Sequence, residues 1–85
     1  MKKTFKKNIS DVSNLCNIPA EVIFHYIQEE WVFPADKQSL MLDEEDVARI
    51  DLINQLKEDF GVNDESVPVI LHLVDYLNVL MRNLK

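Results

Sequence analysis

One glycine, one cysteine and three prolines in 85 residues leave little material for tight turns, cross-links or chain breaks. With Cys16 alone, no internal disulfide can form. One glycine cannot build the cradle that G-x-G-x-x-G and P-loop sequences use to hold phosphates, and neither motif occurs. So few glycines and prolines also argue against a loop-rich or all-β chain. The longest apolar run, "VPVILHLV", falls far short of the roughly 20 residues that cross a bilayer, which predicts no membrane association. The charged start "MKKTFKKN" is not followed by the apolar stretch of a signal peptide, so a cytoplasmic protein is the expectation.

Positive charge is the other scarcity. The net charge is −6, yet four of the nine cations (Lys2, Lys3, Lys6 and Lys7) lie in the first seven residues. From Asn8 onward five basic residues face fifteen acidic ones. Such a body repels phosphate and favours basic partners.

What is present is an ordinary globular composition, 47% apolar and 28% charged. A chain of this length makes one domain, residues 1–85, with no repeat, low-complexity tract or linker. It buries only about 60 to 65% of its unfolded surface. A mainly helical chain follows from the spacing of its apolar residues. Asn8 is a good N-cap, with Asp11 in the first turn, for a helix that places Ile9, Val12, Leu15 and Cys16 on one stripe. Cys16 reads there as a small core residue. "NIP" then fits a tight turn, with Pro19 at or near the start of a second helix.

Stepping about 100° per residue along "IPAEVIFHYIQEEW" separates two faces. Ile23, Tyr26, Ile27 and Glu30 fall together with Val22 beside them, while Glu21, Phe24, His25 and Gln28 lie opposite. Two short helices joined by so short a turn suggest a helix-turn-helix, in which the second is placed for recognition. It contains no lysine or arginine, and it carries Glu21, Glu29 and Glu30 instead.

From Trp31 the helical pattern fails, and "WVFPADKQSLMLD" reads as a small β-hairpin wing. Trp31 or Val32 and the segment Leu40 to Leu42 would supply its strands, with the region of Phe5 as a further short strand. Asp43 opens a third helix, where Glu44, Glu45 and Asp46 suit the positive end of the helix dipole. Val47, Ile50, Ile53, Leu56 and Phe60 continue it as a stripe, and Gly61 is a natural stop. Asp64 or Ser66 would cap the last helix, with Pro68 near its first turn.

That last helix is apolar over about half its circumference. Val69, Ile70, Leu73, Val74, Leu77, Leu80, Met81 and Leu84 form one side, and His72, Asp75, Asn78, Arg82 and Lys85 define the other. A helix closing a small domain rarely needs so wide an apolar face for its own core. A homodimer through Leu73, Leu77, Leu80, Met81 and Leu84 is therefore expected, the alternative being a core that buries this face within one chain.

Catalytic chemistry finds no support. Cys16, His25 and His72 are too scattered for zinc-ligand spacing, and no cofactor motif is present. His25 has no Ser or Cys in a nucleophile motif beside it. Paired carboxylates for acid–base work need an enclosing pocket, and a helical domain this small leaves little room for one. No enzyme activity is expected.

The order of elements resembles the MerR-type winged helix-turn-helix. "ISDVSNLCNIPAEVIFHYIQEEWVFP" and "LMLDEEDVARIDLINQLKEDFGV" carry the resemblance, from Ile9 to about Val62. DNA-binding members of that family usually place arginines where Glu21 and Phe24 stand here, and an arginine in the wing near Leu40 to Leu42. Both are missing. A narrower resemblance is to the CbpM chaperone-modulator branch, whose helix-turn-helix is acidic. Its final segment is similar to "DFGVNDESVPVILHLVDYLNVL", from Asp59 to Leu80.

That resemblance implies binding to the J-domain of a DnaJ-like co-chaperone, CbpA, and inhibition of its stimulation of DnaK. J-domains present a basic helix to their chaperone, so an acidic competitor has the right sign of charge. The residues expected to meet the partner are Glu21, Phe24, His25, Gln28, Glu29, Glu30, Glu44 and Glu45. The alternative is a MerR-type DNA-binding transcriptional regulator. Its cations would be confined to the N-terminal arm plus Lys37 and Arg49, too few to neutralise several phosphates.

Overall fold

The computed structural model describes residues 6–34, 36 and 38–84. Four helices account for most of them: α1 (Ile9–Cys16), α2 (Ala20–Gln28), α3 (Glu44–Asp59) and α4 (Val67–Asn83). Asn8 caps α1, its side-chain oxygen accepting the Asp11 backbone N–H at 2.8 Å. Asn17 ends α1 in the left-handed region at φ 60°, a conformation that asparagine tolerates better than most residues. Ile18 follows and is buried, and the Ser13 hydroxyl donates to its carbonyl, which closes the turn. Pro19 then stands as the N-cap of α2.

α2 stops earlier than its apolar spacing predicts. Glu30 lies beyond the helix at φ 63° and is exposed, so it does not share the inner face with Ile23 and Tyr26. This reversal turns Trp31 back under α2, where the Trp31 N–H donates to the Tyr26 carbonyl at 3.0 Å. Trp31 and Val32 are buried at 4% and 2% exposure and form no strand. Their hydrophobicity belongs to the core, and the expectation that they form the wing is corrected accordingly.

Among the described residues the wing is reduced to two isolated antiparallel bridges, Asp36 with Met41 and Lys7 with Leu42. Asp36 builds the turn itself: its carboxylate accepts the Gln38 and Ser39 N–H groups, and its carbonyl accepts the Leu40 N–H at 2.8 Å. A hydrogen bond with the Ser39 side chain, and after it those with the Gln38 and Ser39 N–H groups, hold the Asp36 carboxyl below its ordinary range. Lys7 and Leu42 exchange both backbone hydrogen bonds, at 2.9 and 2.8 Å, tying the start of the described chain to the entrance of α3. The third strand expected around Phe5 lies outside the described residues.

A reciprocal capping box opens α3: Asp43 accepts the Asp46 N–H, and Asp46 accepts the Asp43 N–H. Burial raises the Asp46 carboxyl above its ordinary value. α3 is the central element, with Ile50 and Ile53 fully buried beneath it. Its other sides meet three neighbours. Glu44, Val47, Ala48 and Asp51 face the end of α1, Asn54, Lys57 and Glu58 face α2, and Glu45, Arg49 and Leu52 face α4. Phe60, expected on the inner stripe, is exposed because α3 ends one residue before it. Gly61 makes the stop at φ 66°, where a side chain would be strained.

The core is a single cluster contributed by all four helices and the connections around Trp31 and Leu42. Every buried side chain among the described residues is apolar. α4 enters this core only through Val67 and Leu71. The rest of the helix runs out along the surface, and the radius of gyration, 13.4 Å, exceeds the roughly 12 Å expected of a compact domain this long. Leu15, expected in the core with Ile9 and Val12, is instead 60% exposed.

Candidate functional site

The outward face of α2 and the acidic start of α3 do not form one patch. Glu21 and His25 border a groove against Asn54, Lys57 and Glu58, near the C-terminal end of α3. Glu44 and Glu45 lie at its opposite end, Glu44 against α1 and Glu45 against α4. Thirteen helical residues from Glu45 to Glu58 separate these regions by about 20 Å at 1.5 Å per residue. Phe24, Gln28, Glu29 and Glu30 are exposed, with Phe24 at 45%.

His25 is placed differently from its exposed neighbours. Its Nε2 lies 3.3 Å from an Asp64 carboxylate oxygen, and its ring meets the edge of Trp31 at 5.6 Å between centroids. Lys57 also binds Asp64, and its ammonium stands 5.8 Å from the centre of the Trp31 ring. Asp64 thereby joins α2, α3 and the connection to α4. It does not cap α4; of the two expected caps Ser66 stands at the N-cap position, without a side-chain hydrogen bond of its own, and the Asn63 side chain accepts the Ser66 N–H at 3.0 Å. The Lys57 ammonium, and after it His25, hold the Asp64 carboxyl below the ordinary value of 3.8. Burial, and after it the charges of Glu58 and Asp64, raises the Tyr26 phenol.

A second ion pair attaches α4. The Arg49 guanidinium grips Asp75 with two hydrogen bonds of 2.6 and 3.1 Å, and its Nε donates to the Trp31 carbonyl at 3.1 Å. Arg49 holds the Asp75 carboxyl low in turn. These two pairs, separated by 26 and 7 residues in sequence, had no spacing that could announce them. Their consequence for recognition is direct: two cations in the body of the domain, Arg49 and Lys57, already carry carboxylate partners.

Stability should fall in acid through the same pairs. Both carboxyls have depressed values in the folded protein, so their stabilisation is fully present above the ordinary aspartate range and is lost as pH falls through the lowered values. Asp46, raised by burial, acts oppositely and binds its proton more readily when folded. A urea midpoint lower at about pH 3 than at pH 7, with a smaller difference in the Asp64→Asn/Asp75→Asn variant, is the expected result. An unaltered pH dependence in that variant would show that the pairs contribute little.

The remaining feature is the outer face of α4. Ile70, Leu73, Leu77, Leu80 and Leu84 recur at alternating spacings of three and four, which puts them on one seam. Leu73, Leu77, Leu80 and Leu84 are 58, 54, 44 and 85% exposed, with Tyr76 flanking them, whereas Met81, expected on the same seam, borders the groove against α3. Val67, Leu71, Val74, Asp75 and Asn78 point the other way, toward the domain. Among the described residues no helix is long and apolar enough to cross a membrane.

Two short helices joined at Asn17 to Pro19, a reduced wing and a third helix define a helix-turn-helix protein. The family model described as MerR HTH family regulatory protein matches residues 7–72, and the chain belongs to that family. No curated protein and no solved structure matches it. The matched span contains the helix-turn-helix, the wing and α3, and it ends within the second turn of α4.

Proposed function

We propose that this domain uses the MerR architecture to bind protein rather than DNA, as a chaperone modulator that holds the J-domain of a DnaJ-like co-chaperone of the CbpA type and blocks its stimulation of DnaK. The observation that carries this reading is the recognition helix: α2 presents Glu21, Phe24 and Gln28 outward, with Glu29 exposed at its C-cap, without one lysine or arginine. Facing phosphates, these carboxylates are repulsive. Facing a basic helix, they steer and orient the encounter, while apolar contact such as Phe24 supplies the affinity. The role is one of binding, with no catalytic step.

We further infer a homodimer through the seam of α4, because a helix with four leucines exposed by about half or more is otherwise left in water.

The family itself favours a second reading, a DNA-binding regulator. The two are separable in one pair of measurements. The J-domain reading expects saturable binding to a CbpA J-domain at low salt, weakened by added salt, together with loss of co-chaperone stimulation of DnaK ATPase. Absence of binding at low salt would sink it. A gel-shift series with sequence-specific retention at submicromolar protein would instead favour the DNA reading.

A further inference from the structure

We propose that the groove between the end of α1 and the start of α3 anchors a basic amphipathic helix of the protein partner, an apolar residue of that helix seating between Leu15 and Val47. The partner's identity as a J-domain rests on the function proposed above; the groove and its chemistry do not.

Leu15 is the first observation. It sits on the helix that buries Ile9 and Val12, yet it is 60% exposed and turned toward α3 instead of into the core. With Cys16, Val47 and Ala48 it lines an apolar groove of about 480 Å³. A depression of this kind between two helices suits a single large apolar side chain presented by a third.

The rim supplies the sign of the partner. Glu44 and Asp51 border the groove, seven residues apart on α3, which places them two helical turns or about 10 Å from each other on one side. Asp11, exposed, stands one turn before Leu15 on α1. Among the described residues no cation lines the groove. Arg49, the cation nearest in sequence on α3, is engaged with Asp75 toward α4. An apolar floor with carboxylates two turns apart matches a helix whose lysines or arginines flank a leucine or phenylalanine at the same period.

Cys16 gives the test a built-in reporter, since it is the chain's only thiol and borders the groove. Burial and Asp51 raise its pKa, so alkylation is slow and is best followed above neutral pH. The whole protein is treated with iodoacetamide alone, with a synthetic leucine–arginine amphipathic helix, and with a CbpA J-domain.

Fivefold or greater protection of Cys16 by the bound peptide is expected. Leu15→Arg should abolish that protection, and Asp51→Lys should weaken peptide binding at least tenfold. Leu15 and Asp51 are both exposed, so neither change disturbs the core. Unchanged alkylation with either probe bound would overturn the groove. Protection by the peptide with no J-domain binding would leave the groove standing and remove the J-domain reading. J-domain binding that ignores Leu15→Arg would do the reverse. Protection that rises with protein concentration alone, and vanishes when the N-terminal lysines are replaced, would identify a second copy as the occupant and overturn the proposal.

Discussion

Trp31→Ala is expected to cost about 3 to 5 kcal/mol, the usual range for emptying a buried aromatic site. The indole is 4% exposed, lies 5.7 Å from the Tyr26 ring and 5.6 Å from the His25 ring, and carries the Lys57 ammonium over its face. At about 0.05 to 0.15 kcal/mol per residue, a domain of this length has roughly 4 to 13 kcal/mol in all. The substitution therefore removes about a quarter or more of the stability, and at the low end it leaves the protein close to unfolded. Urea denaturation followed by circular dichroism should show the midpoint falling by about 1.5 M or more, given slopes near 1 to 2 kcal/mol per molar urea. Phe33→Ala, two residues on and 62% exposed, should change stability by no more than about 0.5 kcal/mol. Equal effects at the two positions would contradict the burial of Trp31.

The second large effect concerns assembly. Wild-type protein is expected to scatter light as a species of twice 9.9 kDa at tens of micromolar, and the Leu77→Glu/Leu80→Glu variant as 9.9 kDa. Each leucine transferred from water into an interface contributes about 1.5 to 3 kcal/mol. A two-fold interface loses four of them in this variant, and four carboxylates would have to be buried. Since each 1.4 kcal/mol is tenfold, dissociation should strengthen at least about a thousandfold.

The outer turns of α4 give an additional reason for a partner. Beyond Leu71 the helix has little of its own core to hold it, and isolated helices shorter than about 12 to 15 residues are marginal in water. Dimerisation would order these turns as it buries them. Glutamate is a good helix former, so a monomeric variant that keeps the wild-type unfolding midpoint of the core would locate the effect in the seam. A monomeric wild type at these concentrations would exclude the interface.

Much of the domain was legible from local patterns. Asn8 and Asp43 announced two helix starts because capping is a contact across three residues. Gly61 announced a stop because a positive φ is a property of one residue. The inner faces of α2 and α3 followed from helical period, with Ile23, Tyr26, Ile50 and Ile53 all buried. Trp31, Val32, Leu15 and Glu30 were misplaced for one shared reason. Periodicity reports that a residue is apolar or in phase, and it does not report where the chain turns.

The candidate site divides in the same way. Exposure of Glu21, Phe24 and Gln28 could be read from the face they share, while the attachment of His25 to Asp64 could not, because the partners are 39 residues apart. Likewise, Glu44 and Glu45 are neighbours in sequence but face α1 and α4 respectively.

By itself, then, the sequence determined the four helices, the acidic recognition helix and the apolar seam of α4, since each depends on residues within a few turns of one another. Only the tertiary structure decided that Trp31 belongs to the core, that Arg49 and Lys57 are engaged by Asp75 and Asp64, and that Leu15 opens a groove with acidic walls. Those outcomes depend on how α3 sits among its three neighbours, a packing set by contacts between residues distant in sequence that leaves no signature at any single spacing.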